Sequence, residues 1–188
     1  MVDTGFRVRP DQVERFAANY RATPDRAGIE VADDPATSPY LDEPRVLSGG
    51  SGLVSTAGDY LRFCRMLLGN GQLEGTRILG RKTLELMTRN HMTGNRSIYA
   101  ASASGRYDPS HAGNGFGLGC AVGLDTADGQ VSGGPGQYYW SGAASTHFWT
   151  DPAEELAVVF MTQYLSLSVE TRYNLARELR AIVYGALD

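Results

Sequence analysis

A chain of 188 residues with 42% hydrophobic side chains holds enough apolar material for a buried core, and its length fits one domain or a large part of one. Its net charge is −4, and the arginines are scattered without a basic block, which argues against a nucleic-acid partner. The longest apolar runs, such as Leu156–Met161, are far too short to span a bilayer, and no signal peptide is visible at the start, so the cytoplasm is the expected compartment.

Residues 1–47 carry few periodic signals. Pro10-Asp11-Gln12-Val13-Glu14 has the form of a short helix start, with proline in the first turn. Phe16–Tyr20 and Gly28–Ala32 are spaced to pair as short strands around the Pro24-Asp25 turn. Asp33-Asp34-Pro35 and Ser38-Pro39 read as loop, and the adjacent carboxylates fit a turn before proline better than acid–base work. Thr56 is placed to cap a helix with Tyr60, Phe63, Cys64, Leu67 and Leu68 at helical spacing. Asp59 there takes the place of the glutamate of a capping box, and Gly69-Asn70 ends the helix. Gly71 to Gly75 is a turn. A second helix is predicted from about Arg81 to Asn90, with Leu84 and Met87 inward. Thr93 to Gly115 reads as loop, longer than a compact domain usually carries without a functional reason.

Phe116, Leu118, Cys120, Val122 and Leu124 alternate with Gly117, Gly119, Ala121 and Gly123, which predicts one strand with a face of small residues. Asp125 to Gly136 is a hairpin-like loop. Ser145–Thr150 and Leu156–Thr162 predict two antiparallel strands about the Asp151-Pro152 turn. The chain closes with an amphipathic helix from about Val169 to Tyr184, its apolar stripe formed by Leu175, Leu179, Ile182 and Val183. This order predicts an α+β fold, an antiparallel sheet packed by helices. The helical region and loop occupy about 48–115, and the sheet strands with the terminal helix about 116–188.

Several chemistries are disfavoured. His91, His111 and His147 lie far apart, without a metal-binding spacing, so no metal or other cofactor is expected and His147 reads as an ordinary packed or surface histidine. Cys64 and Cys120 sit among apolar neighbours and read as buried free thiols. No Gly-x-Ser-x-Gly elbow surrounds Ser51, Ser132, Ser141 or Ser145.

The most informative stretch is Gln137-Tyr138-Tyr139-Trp140-Ser141-Gly142-Ala143-Ala144-Ser145-Thr146. Taken in order with Met1–Phe6, Leu47–Tyr60, Gly115-Phe116-Gly117-Leu118-Gly119 and Phe148-Trp149-Thr150-Asp151-Pro152, it resembles the class C β-lactamases, D-alanyl-D-alanine peptidases and β-lactamase-like carboxylesterases across essentially the whole chain. The resemblance implies a β-lactamase/transpeptidase-like fold, of which this chain is the C-terminal portion. It sets Trp140-Ser141-Gly142 where lactamases carry Lys-Thr-Gly or His-Thr-Gly and esterases often carry Trp-x-Gly. Tyr139, Trp140, Ser141 and Gly142 would then line the substrate, and the Ala143 N–H would be one of two oxyanion donors. Trp140 would replace the cation that meets a β-lactam carboxylate, which favours neutral, apolar esters. The chemistry suits an edge strand, whose backbone is open to an acyl group and whose glycine lets it approach.

The family's nucleophile is a serine three residues before a lysine that deprotonates it. The single lysine here is Lys82, and the residue three before it is Leu79. Tyr139-Trp140-Ser141 and Tyr164-Leu165-Ser166 match the family's Tyr-x-Ser pattern in form but fall too late in its order. The nucleophile, base and tyrosine are therefore expected upstream of Met1. The chain reads as the C-terminal half of a serine hydrolase acting on esters, or on β-lactam or D-Ala-type amides, through an acyl-enzyme. Its expected partners are a small ester or amide substrate and the missing N-terminal half or another chain. The alternative is a non-catalytic binding or complementation module that retains the groove.

Overall fold

The computed structural model describes residues 1–101, 112–125, 128, 133–165 and 169–187. His111, Ser132, Ser166, residues 102–111 of the Thr93–Gly115 loop and much of the Asp125–Gly136 loop therefore lie outside the described residues. In chain order the strands and α-helices are β1 (Asn19–Ala22), β2 (Ile29–Asp33), α1 (Ala57–Leu68), β3 (Gln72–Leu73), β4 (Thr76–Arg77), α2 (Arg81–Met87), α3 (Ile98–Ala101), β5 (Asn114–Phe116), β6 (Ala121–Gly123), β7 (Tyr138–Ser141), β8 (His147–Asp151), β9 (Leu156–Phe160), β10 (Tyr164–Leu165) and α4 (Val169–Tyr184).

A five-stranded antiparallel sheet of order β5-β6-β7-β8-β9 organises the molecule. Strand alternation sends neighbouring side chains to opposite faces. Val122 and Tyr138 meet Met66 and Leu67 of α1 and Leu84 of α2 on one face. Ala121, Tyr139 and Trp149 meet Leu179, Val183 and Tyr184 of α4 and Ile98 of α3 on the other. The expected α+β fold is thus a sheet between two helical layers. A smaller sheet sets β1 antiparallel to β2, as the Pro24-Asp25 turn predicts, and parallel to β10, a long-range pairing with no local signal.

Helix α1 begins where expected, because the Thr56 hydroxyl accepts the Asp59 N–H at 3.2 Å. Asp59 does not complete a capping box. Its carboxylate instead accepts the Asp3 N–H at 2.7 Å and the Thr4 hydroxyl at 2.9 Å, tying the N-terminal segment to α1. Burial opposes ionisation of this carboxyl, and the hydrogen bonds from Asp3 and Thr4 outweigh it, leaving the pKa below the ordinary aspartate value. The left-handed residue after α1 is Asn70, at φ +56°. Gly71–Gly75 holds the start of the tight β3–β4 hairpin.

Three further expectations need correction. Helix α2 stops at Met87, short of Asn90, and buries Leu84 but Met87 only in part. The 93–101 part of the predicted loop contains a 3-10 turn at Thr93–Asn95 and the one-turn helix α3. The alternating Phe116–Leu124 run is not one strand but the β5–β6 hairpin. A Cβ at Gly117 would stand 2.2 Å from the Met87 carbonyl oxygen, and Gly119 takes φ +96°, so the glycines that imitate strand alternation are the ones that let the chain reverse.

The bounds of α4 match expectation, but its buried stripe is rotated. Ala176 and Arg180 are buried, whereas Leu175 and Ile182 are 40% and 70% exposed. No helix among the described residues is long and apolar enough to cross a membrane.

Candidate active site

Strand β7 carries the Trp140 motif. It pairs with β8 along its whole length, from Tyr138↔Thr150 to Ser141↔His147. Its pairing with β6 stops at Ala121↔Tyr139. β7 is therefore an interior strand whose last two residues run past their neighbour, and among the described residues its open edge lies at Trp140-Ser141. Antiparallel alternation fixes which groups face it. The Gln137 carbonyl accepts from Gly123 of the β6 side at 2.8 Å, and the Gly142 N–H turns toward β8, donating to Thr146 O at 2.9 Å. Ser141, in phase with Gln137 and Tyr139, directs its backbone groups toward the space that β6 leaves.

Beyond Gly142 the chain turns through Ala143 and Ala144, closed by the Ser145 N–H on Gly142 O at 3.1 Å, with Ser145 at φ +62°. The Ser145 hydroxyl donates to Tyr164 O at 2.7 Å, and the Tyr164 N–H donates to Ala144 O at 3.1 Å. These bonds lock the turn carrying Ala143 against β10. Gly142 has a local reason to be glycine: a Cβ there would lie 2.5 Å from Thr146 Oγ1.

The four expected substrate-lining residues part company at their side chains. Trp140 is 39% exposed, and its indole meets Phe116 of β5 edge-on, with ring centroids 5.1 Å apart. Ser141 lines a cavity of about 10 Å³ on the α4 side, with Ser145, His147 and Ala176 among its walls. Tyr139 is buried beneath Arg180, whose guanidinium lies 4.7 Å from its ring centroid and 4.8 Å from that of Trp149. Only Trp140 presents a side chain at the open edge. Ser141 brings its backbone to it and its side chain to the interior, whereas the backbone of Tyr139 is still paired with Ala121 of β6.

Under the strand lies a buried polar group that sequence reading assigned no task. Arg180 donates to Gln137 Oε1, and the Tyr184 hydroxyl donates to Asp151 Oδ2 at 2.7 Å. His147 is 6% exposed, and its Nε2 has no hydrogen-bond partner among the described residues. Burial, with the Arg180 charge adding to it, pushes the His147 pKa down to about 3, so the ring is neutral at physiological pH.

The other candidate nucleophiles are poorly placed. Burial pushes the Cys64 and Cys120 thiols up to about 11, which keeps them protonated at neutral pH. Lys82 sits on the surface of α2 and donates to Glu85 Oε2 at 2.6 Å. Among the described residues no three His, Cys, Asp or Glu side chains converge on a metal-sized site. A surface cleft of about 560 Å³ at the end of α1, with Arg65, Glu74 and Glu155 on its walls, shares no residue with the Trp140 edge.

Comparison with known proteins follows the same outline. The family model described as Beta-lactamase matches residues 1–181. The chain belongs to the β-lactamase family. This β-lactamase-family chain is 36% identical over 175 residues to Protein Rv1367c of Mycobacterium tuberculosis (strain ATCC 25618 / H37Rv); the match covers 90% of the chain and 42% of that relative. Among solved structures it is similar to EstCE1, described as a hydrolase with promiscuous acyltransferase activity. The TM-score is 0.72 at 26% identity, over 96% of this chain and 46% of that one. Unliganded simvastatin synthase (LovD) from Aspergillus terreus, as its selenomethionyl derivative, shares the fold. Its TM-score is 0.74 at 21% identity, over 96% and 46% of the two chains. The chain thus spans under half the length of each of these three proteins.

Proposed function

We propose that this chain supplies the sheet side of a serine-hydrolase acyl-transfer site for neutral esters, the Ser-x-x-Lys nucleophile coming from outside these 188 residues. The observation that carries this reading is the open backbone edge at Trp140-Ser141, bordered by an exposed indole where a lactamase would carry a cation. The substrate carbonyl lies along that edge, with the Ala143 N–H as an oxyanion donor and Trp140 against the apolar part of the ester. The hydrolase and acyltransferase description of EstCE1 supports the reaction class.

Exposed apolar side chains support a partner for the chain. Val46, Leu47 and Leu53, just before α1, are 73%, 70% and 56% exposed. One further observation favours the non-catalytic reading of the isolated chain, as a binding or complementation module: its thiols stay protonated and its one lysine is engaged by Glu85. Mass spectrometry after fluorophosphonate treatment tests the division of labour. The 188-residue chain alone is expected to remain unmodified, and a stoichiometric adduct on any of its serines would overturn the proposal.

A further inference from the structure

The exposed indole is backed by a second ring that the structure holds in place. Phe116 is fixed through both its backbone groups: its N–H donates to Asn90 Oδ1 at 3.1 Å, and its carbonyl accepts the His91 N–H at 2.8 Å. Asn90 is itself secured, its Nδ2 donating to Asn95 Oδ1 at 2.9 Å and to Arg96 O at 3.0 Å. One residue past the ring's neighbour, the Leu118 N–H donates to Met87 O at 2.8 Å, which docks the β5–β6 turn on the end of α2. A Cβ on Gly115 would fall 2.3 Å from the Asn90 side chain, so this close seating requires glycine beside Phe116.

Trp140 is supported from the other direction, where Phe148 stands opposite it on β8 and packs on Tyr60 of α1 with ring centroids 5.1 Å apart. A single exposed aromatic residue is common on protein surfaces. Two rings held edge-to-face beside an open strand edge form a preorganised apolar wall, which binds without an ordering penalty. Among the described residues the cation–π contacts belong to Arg180, on Tyr139 and Trp149. Among the described residues no cation stacks on Trp140 or Phe116.

We propose that Phe116 and Trp140 together form the specificity wall for the apolar acyl chain of a neutral ester, with Phe116 a specificity-determining residue and Asn90 the residue that positions it. The proposal rests on the acyl-edge reading above, and deepens it by naming what discriminates substrates. The wall accepts an uncharged aliphatic chain and rejects the same chain ending in a carboxylate.

The two tryptophans make the test direct. Trp149 is 0% exposed and Trp140 is 39% exposed, so acrylamide quenching of the intact 188-residue chain reports on Trp140. The probes are 2-octanone, a neutral ketone with no bond to cleave, and 7-oxooctanoate, the same ketone with a carboxylate at the far end of its chain. 2-Octanone is expected to shield Trp140, with 7-oxooctanoate at least about tenfold weaker. Phe116→Ala is expected to weaken 2-octanone by about fivefold, the scale of one lost aromatic contact. If Phe116→Ala also exposes Trp149 to quencher, and so has lost its fold, Phe116→Leu decides instead, with an expected loss of about threefold. Unchanged shielding in the Phe116 variants, or equal shielding by 7-oxooctanoate, would overturn the specificity wall. Failure of 2-octanone to shield the native chain, with fluorophosphonate still leaving it unmodified, would remove the wall while leaving the proposed division of labour standing.

Discussion

Trp149→Ala is expected to lower the unfolding free energy by about 3–5 kcal/mol, and Trp140→Ala by about 1 kcal/mol. Trp149 is fully buried, paired across the sheet with Tyr139 and Val158. It stacks on Tyr184 with ring centroids 6.4 Å apart and lies under the Arg180 guanidinium. Removing the indole leaves a cavity at the junction of sheet and α4, and it strips Arg180 of one of the two rings that compensate its burial. Trp140 is 39% exposed and leans on Phe116, so its removal forfeits one aromatic contact and opens no cavity. A domain holds only about 5–15 kcal/mol in total, so the first substitution is expected to leave the chain near its unfolding threshold. Urea melts at pH 7, compared at equal slope, check both values. A Trp149→Ala loss no larger than that of Trp140→Ala would contradict the two-layer packing around the sheet.

The contrast between these tryptophans also shows what was legible in the amino-acid order. Helix α4 could be bounded from periodicity, and the hairpin of β8 and β9 from the Asp151-Pro152 turn, because both signals are local. The buried face of α4 could not. Arg180 is interior because Gln137, Tyr139 and Trp149, 31 to 43 residues earlier, cover and engage it, and a helical wheel assigns an arginine to solvent. The β5–β6 hairpin was hidden for a different reason. Gly117 and Gly119 satisfy a period of two as small residues, yet they are there for close approach to Met87 and for a left-handed turn.

The candidate site divides along the same line. Trp140-Ser141-Gly142 was legible as a strand end with a family-like motif. That β6 stops one residue short of Trp140, and that Phe116 stands behind the indole, depends on long-range pairing. The sequence signal for Phe116 was present in Gly115-Phe116-Gly117, whose glycines mark a backbone seated tightly against a neighbour.

His147 supplies the second large effect, through pH. Its ring lies beside those of Tyr139 and Trp149, at centroid distances of 5.7 and 6.0 Å, with Arg180 packed on the same two rings. Asp151 is on the same strand face, and its carboxylate accepts the Tyr184 hydroxyl of α4 at 2.7 Å. In the unfolded chain the imidazole takes up a proton near its ordinary value of 6.5; in the fold, burial and the Arg180 charge delay this to about pH 3. Above pH 6.5 both states are neutral and His147 adds no pH dependence. Below it the unfolded state binds a proton that the folded state refuses, so stability falls by about 1.4 kcal/mol per pH unit until the folded value is reached. His147→Phe removes that proton uptake and fills the same apolar slot, which already borders a cavity of about 10 Å³. The variant is expected to match the native chain within about 1 kcal/mol at pH 7 and to exceed it by about 3 kcal/mol at pH 4. Carboxylate titration acts on both chains and cancels in the difference. Parallel stability profiles for the two chains between pH 6 and 4 would show that His147 is protonated as readily inside the fold as outside it. In that case the neutral ring could not be what the Arg180 layer is built around.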